Sequence, residues 1–150
     1  MRQAERVLQR EVMLRLQHAP LQAIVVPSPN GVYLPARSPA ERELARRLIH
    51  GLKVGGSLLP GAPDLTFLWE GGCGCVELKR PSEKTLFGKQ AGGQLSDDQK
   101  RFRDRCAAIG VPYEVCQSWP QVRELLKAWG RLPEGWYEPE VRAASRRKAA

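Results

Sequence analysis

Apolar residues recur at Val7, Leu8, Val12, Leu14 and Leu16, with Glu and Arg between them. This spacing predicts an amphipathic helix over 3–18, closed by Pro20. The next run, LQAIVVP, is short and β-branched and predicts a strand of about six residues ending at Pro27. Ser28-Pro29-Asn30-Gly31 is a turn by composition. Ser38 then reads as an N-cap, with Pro39 at the first helical position and Glu41 in the first turn. That helix is expected to reach about Lys53, with Leu44, Leu48, Ile49 and Leu52 as its buried stripe and Gly55-Gly56 as its stop.

The period then changes. GAPDLTFLWEGGCGCVELKRP, residues 61–81, holds two short apolar runs around Glu70-Gly71-Gly72, the pattern of a β-hairpin. Each run carries an acid where a core strand has little use for one: Asp64 opens the first, and Glu77 lies in the second. Lys79 follows Glu77 by two residues, so on a strand the two project from one face about 6.6 Å apart. The connection SEKTLFGKQAGGQ has no period and reads as a functional loop. Ser96 to Gln99 forms a capping box opening a helix through Phe102, Cys106 and Ile109 to Gly110. VPYEVCQ is a short strand. Ser118 to Gln121 repeats the capping logic before a last helix carrying Val122, Leu125, Leu126 and Trp129, ended by Gly130.

The order helix, strand, helix, hairpin, loop, helix, strand, helix predicts an α/β domain with a mixed sheet flanked by helices and the acidic hairpin at its centre. The domain is expected to span 1–130, leaving 131–150 as a basic tail finishing in Arg146-Arg147-Lys148.

Composition adds a partner. The 150 residues carry 24 Lys and Arg against 16 Asp and Glu, a net +8, which favours a polyanion such as nucleic acid. No apolar run approaches the ~18 residues a membrane span requires. The charged N-terminus is not a signal peptide, so a cytoplasmic location with reduced Cys73, Cys75, Cys106 and Cys116 is expected. Cys73-Gly-Cys75 has no second ligand pair at zinc spacing, and His18 and His50 are isolated, so the thiols read as structural.

Taken singly, Asp64 is a turn acid, Glu77 with Lys79 a surface ion pair, and Glu5 with Gln9 a solvated helix face. Taken together, Asp64 and Glu77 from adjacent strands have the oxygen chemistry to clamp a hard divalent cation, with the Leu78 carbonyl as a third oxygen. Lys79 is then placed to orient a water or stabilise phosphate charge. The set describes metal-assisted phosphodiester hydrolysis.

Gly61-Ala62-Pro63-Asp64, then Glu77-Leu78-Lys79, resembles the PD-(D/E)xK nuclease signature. The wider frame resembles a VRR-NUC domain over roughly 3–130, and the short length is similar to stand-alone versions found in phages and bacteria. That frame is Glu5-x-x-x-Gln9, Pro29-Asn30-Gly31, G-A-P-D-L, E-L-K-R-P, Leu95-Ser96 with Gln99-Lys100, and G-V-P-Y-E-V-C. The resemblance implies a restriction-endonuclease-like core. It implies Asp64 and Glu77 as metal-binding acids, Lys79 as catalytic lysine, Gln99 as a motif glutamine, and Glu5 as a further metal ligand, with Glu11 the nearby alternative. It implies Mg²⁺ or Mn²⁺ as cofactor and a structure-specific DNA endonuclease, similar to homodimeric Holliday-junction resolvases. Flaps, ends or simple duplex are the alternative substrates, and a non-catalytic DNA-binding accessory is the alternative role. Without a helix-turn-helix or zinc finger, DNA is expected to be gripped through its phosphates by Arg42, Arg46, Arg47, Lys84, Lys89 and Lys100.

Overall fold

The computed structural model describes residues 3–28, 38–56, 59–81, 83–85, 88–90 and 92–138. The Pro29-Asn30-Gly31 turn and the Arg146-Arg147-Lys148 cluster lie outside them. Helix α1 (Gln3–His18) leads into strand β1 (Ile24–Pro27), shorter than expected, and helix α2 (Pro39–Val54) follows. Strands β2 (Leu65–Trp69) and β3 (Gly72–Leu78) form the central hairpin. Two short strands, β4 (Glu83–Thr85) and β5 (Gly88–Gln90), occupy the connection that was expected to be a functional loop without a period. Helix α3 (Asp97–Ala108), strand β6 (Tyr113–Cys116) and helix α4 (Trp119–Ala128) complete the chain.

The main sheet runs β1-β2-β3-β6. Its first three strands are antiparallel and β6 pairs parallel with β3, the mixed α/β arrangement of a restriction-endonuclease-like core. Because side chains alternate along a strand, the two faces divide cleanly. Leu65, Phe67, Val76, Leu78 and Cys116 face α1 and α4 and join Leu8, Val12, Leu16, Val122 and Leu126 in one apolar core. Gly74 lies under Trp129: a Cβ there would come within 2.6 Å of the indole, so the close approach requires glycine. On the opposite face, Cys75 and Tyr113 are neighbours in the β3–β6 ladder, and α3 packs against β6 there.

Helix ends follow the sequence. Ser96 Oγ accepts from Gln99 N while Gln99 Oε1 accepts from Ser96 N, the reciprocal capping box. Ser38 and Glu41 make the same exchange at α2. Of the buried stripe expected on α2, Leu44 and Leu48 are corrected by the structure, while the side chains of Ile49 and Leu52 lie outside what it describes. Leu44 and Leu48 are 58% and 51% exposed, and α2 has no extensive packing against another described element. A 3.6-residue period shows which side of a helix is apolar, not whether the chain folds a surface onto it.

The packing also runs past Gly130. Leu132 is 3% exposed within the core, Trp136 lies against it, and Glu138 pairs with Arg123 at 3.1 Å. The first eight residues of the expected tail are therefore part of the domain. Leu132→Ala should cost about 2–5 kcal/mol, read as a lower midpoint in urea. A chain ending at Gly130 should be clearly less stable than one ending at Glu138.

Candidate metal and catalytic site

Among the described residues, the buried charged side chains are Glu5, Asp64, Glu77 and Lys79. Sequence spacing places three of them. The β2–β3 register ends at Leu65 opposite Val76. One step further sets Asp64 across from Glu77, on the face that α3 covers. Lys79, two residues on, shares that face, and its Nζ lies 2.9 Å from Glu77 Oε1. Asp64 is fixed from the other direction, since its Oδ2 accepts the Leu78 amide at 2.8 Å. Its backbone carbonyl accepts from Ser28 N at 2.8 Å, tying the approach of β2 to the end of β1.

Glu5 reaches the same end of the sheet from α1. A Cβ built on Gly93 would lie 2.9 Å from Glu5 Oε1 and 3.1 Å from Lys79 Cδ, so residue 93 lies against both, and a side chain there would push them aside. Gly93 N also donates to the Arg80 carbonyl at 3.0 Å, closing the neck of the segment that contains β4 and β5. Glu11, the nearby alternative to Glu5, is exposed and ion-paired with Arg15.

Gln99 does two things at once. Its Oε1 caps α3 through Ser96 N, and its Nε2 donates to Glu77 Oε1 at 2.5 Å. The capping and site readings of this residue are compatible because the amide has an acceptor end and a donor end. Tyr113 went unsingled in the sequence. Its hydroxyl approaches Glu77 Oε2 at 3.5 Å, and its ring sits 6.3 Å from that of Phe102 on α3. The signal available was its place in the strand next to the acidic one, two positions before the residue opposite Glu77.

Two adjacent carboxyl groups out of water are unfavourable as anions. Burial first, then Asp64, pushes the Glu77 carboxyl up to about 7 despite the pull of Lys79. Burial likewise raises Asp64, opposed by the Leu78 amide and Lys79 and assisted by Glu5. Burial and the same two acids push the Tyr113 phenol upward too. Beneath α3, burial and the neighbouring Cys106 push the Cys75 thiol up to about 12, the behaviour of an inert packed thiol. Three carboxyl groups against one lysine make a hard-oxygen environment. That donor set fits a hard divalent cation. Among the described residues no three acid, histidine or cysteine side chains gather tightly enough to cage an ion alone.

The VRR-NUC domain family matches residues 3–120. The chain belongs to this family. VRR-NUC domains are nuclease domains of the PD-(D/E)xK kind, and in this chain Asp64, Glu77 and Lys79 lie together at the end of the β2–β3 hairpin. No curated protein and no solved structure matched the chain. No described helix is long and apolar enough to cross a membrane.

The basic residues expected to grip DNA are dispersed over this VRR-NUC fold. Arg46 and Arg47 are both engaged by Glu43, at 2.8 and 2.9 Å, on the exposed side of α2, where Arg42 is also exposed. Lys100 pairs with Asp97 at 3.2 Å on the surface of α3. Lys84 and Lys89 are cross-strand partners in β4–β5.

The raised Glu77 sets a pH signature. Between about pH 4.5 and about 7 the folded chain retains a proton that the unfolded chain has released. Metal-free stability should therefore fall as pH rises through that window, by on the order of 2 kcal/mol. Asp64 acts in the same direction. Glu77→Gln, which cannot ionise, should lose most of that slope in urea titrations with chelator at several pH values. Equal slopes for the two proteins would contradict the assignment.

Proposed function

We propose that this VRR-NUC domain is a Mg²⁺- or Mn²⁺-dependent endonuclease that hydrolyses phosphodiester bonds in branched DNA, working as a homodimer. The observation that carries the catalytic part is the isolation of Glu5, Asp64, Glu77 and Lys79 as the buried charges among the described residues. Asp64 and Glu77 are the acids to hold the ion, with Glu5 beside them and the Leu78 carbonyl offered from the same strand end as the amide that Asp64 grips. Once bound, such an ion supplies Lewis acidity at the scissile phosphate and lowers the pKa of water near it. Lys79, already at Glu77 Oε1, holds its ammonium where it can orient that water or stabilise charge developing on phosphate. Gln99 keeps Glu77 in place and links it to α3.

Asp64→Ala and Lys79→Ala should each cut cleavage by at least about 100-fold, the scale of losing a positioned acid–base or electrostatic group. DNA binding in Ca²⁺ should be largely kept. Four-way junction, flap, single-stranded and linear duplex substrates tested with Mg²⁺ and Mn²⁺ separate junction cutting from action on flaps, ends or duplex. Undiminished junction cutting by Asp64→Ala would sink the catalytic reading and favour a contaminating nuclease or a DNA-binding accessory role.

The homodimer is favoured by α2, whose Leu44 and Leu48 present an uncovered apolar side of the kind a second copy would bury. For DNA, Lys84 and Lys89 are the best placed of the six basic candidates. The register makes them cross-strand partners at one position of the ribbon. Their ribbon departs from the site through the Arg80–Gly93 neck. Arg42, Arg46, Arg47 and Lys100 would add general phosphate attraction. Replacing Lys84 and Lys89 together with Gln should lower the slope of log K against log salt by about 1–2, since each phosphate contact contributes about 0.9. An unchanged slope removes them from the interface.

A further inference from the structure

Glu77 is held unevenly by its neighbours. A carboxylate offers about four lone-pair positions, two on each oxygen. Oε1 takes two donors, Lys79 Nζ at 2.9 Å and Gln99 Nε2 at 2.5 Å. Among the described residues the Tyr113 hydroxyl lies 3.5 Å from Oε2, the long end of the range, and the Asp64 backbone also donates toward this carboxyl. Oε2 is thus the more lightly held oxygen, and Asp64 stands across the strand pair from Glu77.

The three side-chain donors come from three elements: the end of β3, helix α3 and strand β6. Lys79 and Gln99 fix Oε1, but two bonds to one atom leave the carboxylate free to swing about it. A donor on the second oxygen stops that rotation. The Tyr113 phenol is suited to the task. Its ring is set against Phe102, on the same helix that delivers Gln99, and its backbone is in register with Cys75, two residues before Glu77 on the same face. A phenol adds no charge to a site already crowded with it.

We propose that Tyr113 is a positioning residue whose hydroxyl fixes the second oxygen of Glu77, so that the carboxylate presents Oε2, beside Asp64, to the divalent ion in one orientation. The proposal rests on Glu77 being a metal ligand. Donors behind a ligand set its orientation, and their loss commonly costs about 10–100-fold in metal affinity. Tyr113 sits at the low end of that range, because its bond to Glu77 is long.

The test is Tyr113→Phe, which removes the hydroxyl and keeps the ring against Phe102. Mn²⁺ binding is measured by calorimetry on full-length wild type and variant, next to thermal unfolding in chelator. The variant should bind Mn²⁺ about tenfold more weakly, melt within about a degree of wild type, and regain most of its cleavage rate at saturating Mn²⁺. A residue that only packs would instead lower the melting temperature without changing metal affinity. Mn²⁺ affinity within twofold of wild type overturns the proposal and leaves the metal reading of Glu77 standing. A wild-type protein that takes up no Mn²⁺ overturns both.

Discussion

The Leu78 amide donates to Asp64 Oδ2 at 2.8 Å, and the rest of the site hangs on that bond. It crosses from the end of β3 to the approach of β2 just where the β2–β3 ladder has run out. It therefore satisfies a buried amide and compensates part of the cost of burying a carboxylate in the same stroke. Without it, Asp64 would lose its fixed position opposite Glu77, and the tie from Asp64 O to Ser28 would be left to hold the segment alone. The acids cannot simply move apart to relieve their repulsion, because each is anchored in the sheet. Lys79 and Gln99 answer for Glu77 what Leu78 answers for Asp64.

Much of this was legible in the sequence for one physical reason: strands have a strict period of two. Glu77 and Lys79 on one face, and Asp64 across from Glu77, follow from that period and a short hairpin turn. Helix caps were legible because Ser96, Gln99, Ser38 and Ser118 act on backbone only three residues away. What the sequence did not show was long-range. The apolar side of α2 was visible, and the exposure of its Leu44 and Leu48 was not. Leu132 and Trp136 looked like part of a tail because Pro133 and Pro139 break any helical period, yet they return to the core. β4 and β5 were missed because three-residue strands rich in Gly, Lys and Gln carry no alternation to read.

Gln99 and Tyr113 show two ways a site residue can evade or reward a sequence reading. Gln99 announced itself as half of a capping box, and its second role needed only that the helix start face the acids. The stability of the first turn of α3 and the orientation of Glu77 are thus set by one side chain. Tyr113 has no local signature at all. It belongs to the site because the β3–β6 pairing is parallel, which brings a strand 36 residues further along the chain beside the acidic one.

The β4–β5 ribbon forms its own two-stranded sheet, and its extensive contacts among the described residues are internal. Gly93 and Arg80 close its base against the lysine and acid of the site. A module attached in this way can be lengthened, recharged or exchanged while the core keeps its packing and the acids keep their partners. If Lys84 and Lys89 carry DNA contacts as proposed, substrate choice and bond cleavage can then diverge at different rates within one scaffold.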